Sequence, residues 1–225
     1  MKIKEEECIT LIVPHERREI SFQYPAFKGT YVNIAEQIDK AGLKRPSSSE
    51  TASLVYEAWK NPDEKYSKEI IQILKDNWFL EFTGNLYLPK SNEKINNGVI
   101  LDLDPQNLKF DEKRRLIMDK DSLIKRLESN DPLVKFVSFE FKIGEQSLIE
   151  FQKNPYIQAR YGEEGAEKIT EVASKYKNSA FIQSYASVRE KKARISSLGG
   201  CWYFDGGVRV DGFCWLSDRA FGVKK

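Results

Sequence analysis

Two hydrophobic periods divide this chain, and their order constrains its fold more than any other feature. Apolar residues recur at helical spacing from Tyr31 to Leu74 and again from Glu163 to Tyr176, whereas from Ala180 onward the chain is a series of short period-two runs separated by glycines and polar residues. The order predicts an α+β architecture with the early helices packed on a twisted antiparallel sheet formed mainly by C-terminal strands. No internal repeat, low-complexity tract or Gly/Ser linker interrupts the chain, so residues 1–225 read as one domain.

Local signals place the elements. Leu11 to Phe22 predicts one or two strands. Thr30 is an N-cap for a helix whose stripe is Tyr31, Ile34, Ala35, Ile38 and Ala41, closed by Gly42. Ser47 with Glu50 forms a capping box for a second helix carrying Leu54, Val55, Ala58 and Trp59, which Asn61-Pro62 ends. Ile70, Ile71 and Leu74 mark a third. The period then changes to two: Trp78 to Phe82, Thr83-Gly84-Asn85 and Leu86 to Leu88 predict a hairpin. Further strands are expected at Val99 to Leu103 and Val134 to Phe141, with a helix around Leu123 capped by Asp121 between them. Helices are expected at Ser147 to Phe151 and Glu163 to Tyr176. The final strands are expected at Ala180 to Tyr185, Ala193 to Leu198, Cys201 to Phe204, Gly207 to Val210 and Ala220 to Val223.

Composition narrows the partners. With 36 basic against 34 acidic residues the net charge is only +2, so no global field draws the chain to nucleic acid or an anionic membrane. The clusters Lys113-Arg114-Arg115 and Arg189-Glu190-Lys191-Lys192 are interleaved with or flanked by acids, and no nucleic-acid partner is expected. No apolar run approaches the roughly 20 residues that span a bilayer. The acidic opening, Lys4-Glu5-Glu6-Glu7, is unlike a secretory signal, and three cysteines do not make a disulfide framework. A cytoplasmic or virion-associated protein is the expectation.

The last thirty residues carry the functional signal. Arg194-Ile195, Gly199-Gly200-Cys201-Trp202 and a closing Phe221-Gly222-Val223 enclose a segment in which aromatics, carboxylates, arginine, cysteine and glycine mix over two short strand-like runs. Aromatic rings and Arg supply contact energy at little rotamer cost, while Gly, Ser and Asp supply adaptable loops, the composition of a recognition surface. This arrangement resembles the C-terminal signature of C-type lectin-fold domains of the formylglycine-generating-enzyme type, and in particular the variable proteins of diversity-generating retroelements.

The resemblance implies a non-enzymatic binding protein with a variable region over 194–223. Its framework would be Ile195, Leu198, Gly199, Gly200, Trp202, Val208, Val210, Phe221 and Val223. Its diversified, ligand-facing residues would be Tyr203, Phe204, Asp205, Gly206, Arg209, Asp211, Phe213, Cys214, Leu216, Ser217 and Asp218. Adenine-directed change of an Asn-like codon yields Tyr, Phe, Asp, Gly, Arg, Cys, Leu and Ser, and the observed mixture fits that origin. Strand alternation independently puts Val208 and Val210 on one face and Arg209 and Asp211 on the other. The partner implied is a protein or surface ligand whose identity, like the oligomeric state, the chain does not reveal.

Departures from the family limit what is carried over. The Gly-Asn-Val-Trp-Glu-Trp segment is absent. Cys201 and Cys214 lack the spacing of the oxidase cysteine pair, and the calcium motifs of sugar-binding lectins are missing, so neither catalysis nor a cofactor or metal site is expected. A formylglycine-generating-type enzyme and a viral or phage structural protein remain the alternatives. Elsewhere, His15 has no second histidine and no nearby Ser or Cys nucleophile to work with. Asp102 and Asp104 share a strand face but run into an Asp-Pro turn, and neither Gly162 to Gly165 nor Gly206-Gly207 fits a phosphate-binding loop.

Overall fold

A computed structural model describes residues 2–5, 9–176, 180–201, 207–212 and 218–225. The N-terminal strands β1 (Lys2–Glu5), β2 (Ile9–His15) and β3 (Arg18–Gln23) form a separate three-stranded antiparallel sheet. A short strand, β4 (Phe27–Gly29), leads into three helices, α1 (Tyr31–Lys40), α2 (Ser48–Lys60) and α3 (Lys65–Asp76). Their starts follow the expected chemistry: the Thr30 side chain accepts from the Asn33 N–H, and Ser47 with Glu50 closes a full capping box.

The expected hairpin at Trp78 to Leu88 is instead one strand, β5 (Trp78–Leu88), eleven residues long. Gly84 reads as a turn in sequence but is paired within the strand, opposite Ile195 and Asp102, with the side-chain tips of Leu108 and Met118 close by: a Cβ at this position would lie 2.9 Å from both Leu108 Cδ2 and Met118 Cε. Every residue of β5 except Trp78 is buried, so both faces are covered and the alternation that signals a half-exposed strand is lost. β6 (Gly98–Asp102) pairs with β5 and with β9 (Val134–Ser138), which stops short of the expected Phe141. Between them the charged stretch forms β7 (Lys109–Phe110), β8 (Leu116–Ile117) and α4 (Lys120–Glu128), whose N-cap is Asp119, not Asp121.

β10 (Gly144–Gln146) and α5 (Leu148–Lys153) precede the longest helix, α6 (Pro155–Ser174). Sequence places this helix from Glu163 because the left-handed Gly162, at φ 70°, interrupts it; the segment before the break is helical too, with Asn154 as N-cap and Pro155 in the first turn. The C-terminal strands are β11 (Ala180–Gln183), β12 (Lys192–Cys201), β13 (Gly207–Asp211) and β14 (Asp218–Ala220). β12 runs unbroken from Lys192 through Gly199-Gly200 to Cys201, where the sequence predicts two strands. After β14, Val223 bridges to Phe22 and Lys44, and the Lys224 N–H donates to the Ser21 carbonyl.

Among the described residues the large sheet has nine strands, and β5 lies at its centre between β12 and β14. Two pairings, β11 with β13 and β14 with β5, are parallel; the rest are antiparallel. One core cluster runs from the N-terminal sheet (Leu11, Val13) through α2, α3 and α6 to Leu198, Val208, Val210, Phe221 and Val223. A second joins α1 to Leu80, Phe82 and Ala220 on the sheet. No described helix is long and apolar enough to cross a membrane.

Candidate ligand-binding site

β13 is held between β11 and β12, and its alternation is as the sequence implies. Val208 and Val210 are fully buried and share a core cluster with Phe221. Arg209 points to the opposite face. It is in register with Phe181 on one side and Gly199 on the other, and Gly199 is in register with Trp78. In-register neighbours project to the same face, so Phe181, Arg209, Gly199 and Trp78 form one row. The glycine makes the row possible: a Cβ on Gly199 would lie 2.7 Å from Trp78 Cε3, so the indole occupies the space a side chain would take. The Arg209 guanidinium lies 5.3 Å from the Trp78 ring centroid and 5.6 Å from that of Phe181. Its Nη2 is 3.5 Å from Asp211 Oδ2. Ring quadrupoles and the carboxylate together fix the cation in place.

Of the expected ligand-facing residues, Tyr203, Phe204, Asp205, Gly206, Phe213, Cys214, Leu216 and Ser217 lie outside the described residues, as does the framework residue Trp202. Their attachment points are well defined. Residues 202–206 join antiparallel partners whose last register pair is Cys201 with Gly207. Residues 213–217 leave from Gly212, whose N–H donates to the Gln183 carbonyl at 2.8 Å and whose carbonyl accepts from the Tyr87 hydroxyl at 3.2 Å. They end at Asp218, paired with Gly29.

Asp211 and Asp218, which the resemblance assigns to the ligand-facing set, are both buried, at 6% and 2% exposure. Each carboxylate is engaged inside the protein. Asp211 lies beside Arg209, and Asp218 accepts the Trp78 N–H at 3.1 Å, a backbone donor at the start of β5. A buried carboxylate needs such partners, and strand alternation alone cannot reveal them.

Behind the sheet lies a polar network that sequence reasoning missed. Arg160 of α6 and Glu81 of β5 form an ion pair with neither side chain exposed. Arg160 also donates to the carbonyls of Asp211 (2.9 Å) and Ser197 (3.1 Å) and to Ser48 Oγ (3.2 Å). The Tyr156 hydroxyl donates to Asn85 Oδ1, and Asn85 Nδ2 to Ser196 Oγ, both at 2.8 Å. Burial disfavours the Arg160 charge, but the attraction of Glu81 outweighs it and raises the guanidinium pKa further. The one legible signal was Glu81 itself, a charge inside the apolar run Trp78 to Phe82.

Tertiary structure also re-partners the other candidates. The sequence offers His15 no nearby nucleophile, but the fold brings it beside a serine, Ser53, with Nδ1 to Oγ at 2.9 Å, and Ser53 is 1% exposed. The Asp102 carboxylate takes a 3.2 Å contact to each oxygen from Arg126 and the Asp104 N–H, an ion-pair role and not a metal-ligand one. Arg114 donates to Asn33 and Arg115 pairs with Asp111. Cys8 and Cys214 lie outside the described residues.

No family model and no curated protein matches the chain. Among solved structures it is similar to a protein from Nanoarchaeota, described as accommodating massive sequence variation by the C-type lectin fold, with a TM-score of 0.59 and 15% identity over 89% of this chain and 97% of that one. The chain has a C-type lectin fold.

Proposed function

We propose that this protein is a non-enzymatic binding protein, the variable protein of a diversity-generating retroelement, whose C-terminal region 194–223 presents a diversified surface to a protein or other surface ligand on a one-domain scaffold. The observation that carries this reading is how the C-terminal segments are rooted. Residues 202–206 and 213–217 contain most of the recognition-type side chains, and each is tied at both ends into the nine-stranded sheet. The roots engage main-chain atoms at the segments' ends, such as the Gly212 N–H donated to the Gln183 carbonyl and the Gly212 carbonyl accepting from the Tyr87 hydroxyl, and these do not depend on which side chains the segments carry. A scaffold of this kind limits the entropy lost on binding while leaving specificity free to change. Arg209, held between Trp78 and Phe181, would be the framework-anchored member of the contact set. Asp211 and Asp218 serve the scaffold in this reading. Likeness to a Nanoarchaeota fold described as accommodating massive variation supports it.

The coding DNA supplies the direct test. A neighbouring reverse-transcriptase gene together with an imperfect repeat of the last coding stretch, differing at adenines, is the expected result. A locus holding neither would remove the retroelement assignment. Display of the protein with randomised codons at 203, 204, 213, 216 and 217, followed by selection on immobilised proteins, tests binding itself; failure to obtain any binder from a folded library would count against a recognition surface.

A further inference from the structure

The row Phe181, Arg209, Gly199 and Trp78 crosses the boundary of the proposed variable region: Arg209 and Gly199 lie within 194–223, Trp78 and Phe181 outside it. Phe181 is on the strand next to Arg209, but Trp78 is two strands away, about 10 Å at ordinary strand spacing. Gly199 closes that distance. Because it has no side chain, the indole leans over it, with Cε3 and Cδ2 at 2.7 and 2.8 Å from where a Cβ would be, and reaches the space beside position 209. The result is a slot walled by two rings, in which the guanidinium sits 5.3 Å from the Trp78 centroid and 5.6 Å from that of Phe181.

Rings, more than hydrogen bonds, orient this guanidinium. Arg209 Nε is buried without a hydrogen-bond partner among the described residues, and the contact from Nη2 to Asp211 Oδ2, at 3.5 Å, is longer than an ordinary hydrogen bond. The side chain is not sealed in, since 18% of it is exposed and Trp78 and Phe181 are each only half-buried. A long side chain held in this way has lost much of its rotamer freedom before any ligand arrives. The slot is also selective. Ring faces are negative, so they attract a cation, pack against flat or apolar groups and oppose a carboxylate. Asp211 lies on the same face two residues along the strand, and Glu145 extends the row beside Phe181, which adds to that opposition.

Given the recognition role proposed above, on which this step rests, we propose that Trp78 and Phe181 are fixed positioning residues of the binding surface. They hold the side chain at 209 in place for the ligand and restrict that position to arginine, aromatic and apolar residues. Part of the binding machinery thereby lies outside the variable region.

Two measurements on the full chain test this. Among binders selected with Arg209 retained, those that Arg209→Ala weakens about tenfold or more should be weakened about as much by Trp78→Leu, no further by both changes together, and only slightly by Trp78→Phe. If Trp78→Leu fails to fold, Phe181→Leu is read in the same way. Separately, a library randomised at 209 alone and sorted by protease resistance should be enriched in Arg, Tyr, Phe and Leu and depleted of Asp and Gly. Additive losses in the binding cycle, a set of binders none of which depends on Arg209, or an even spread of residues at 209 would overturn the proposal. Failure to select any binder from a folded library would remove the recognition reading and the positioning role with it, whereas an even spread at 209 beside successful binders would remove the slot alone.

Discussion

Arg160 and Glu81 form a solvent-free ion pair that ties α6 to the central strand, and the same guanidinium holds the main-chain carbonyls of Ser197 and Asp211. Side chains from earlier in the chain thereby grip backbone atoms of the C-terminal region, whose own side chains play no part in these bonds.

This pair predicts an asymmetry. Arg160→Met should cost about 3–5 kcal/mol, because it leaves a buried carboxylate uncompensated, whereas Arg160→Met with Glu81→Leu should recover much of the loss. Denaturant unfolding of the two variants measures it. A single variant as stable as the parent would show that the pair is not a structural tie.

Gly199 and Gly200 are expected to resist even alanine. A Cβ on Gly199 would meet the Trp78 ring at 2.7 Å, and one on Gly200 the Leu74 carbonyl oxygen at 2.8 Å. Neither an indole packed on the sheet nor helix backbone yields easily, so each substitution should destabilise by about 1–3 kcal/mol. Thermal melts of Gly199→Ala and Gly200→Ala decide the point, and Gly199→Ala should also change the Trp78 fluorescence.

His15 gives a pH dependence with a definite sign. Burial lowers its pKa from 6.5, Lys168 and Arg18 add to the lowering, and Glu50 and Glu16 only partly oppose it. Below pH 6.5 the unfolded chain therefore binds a proton that the folded chain does not, and stability falls as pH drops toward the folded-state pKa before this contribution levels off. Denaturant midpoints between about pH 7.5 and about pH 5 should fall more steeply for the parent than for His15→Gln. Parallel curves would contradict the buried, neutral histidine.

Simultaneous replacement of Tyr203, Phe204, Phe213, Leu216 and Ser217 should leave folding nearly intact, with changes of about 0.5 kcal/mol or less per site, while abolishing any selected binding. A collapse of stability would mean that these side chains belong to the core and that recognition lies elsewhere.

What the sequence determined by itself was local. Period and capping chemistry located α1 and α2, since Thr30, Ser47 and Glu50 act on their own neighbours. Alternation put Val208 and Val210 inward, because successive strand residues must face opposite ways. The glycine pair, with the terminal Phe221 and Val223, indicated the C-type lectin fold. Tertiary structure decided whatever depends on partners distant in the chain. Gly84 reads as a turn until its pairing with Ile195 and Asp102 places it inside a strand, and Asp211 and Asp218 read as surface until Arg209 and the Trp78 amide account for their burial. Arg160 meets Glu81 across 79 residues, and His15 meets Ser53 across 38. No periodicity encodes such meetings, because burial and pairing of polar groups are set by which elements pack together and not by the spacing within any one of them.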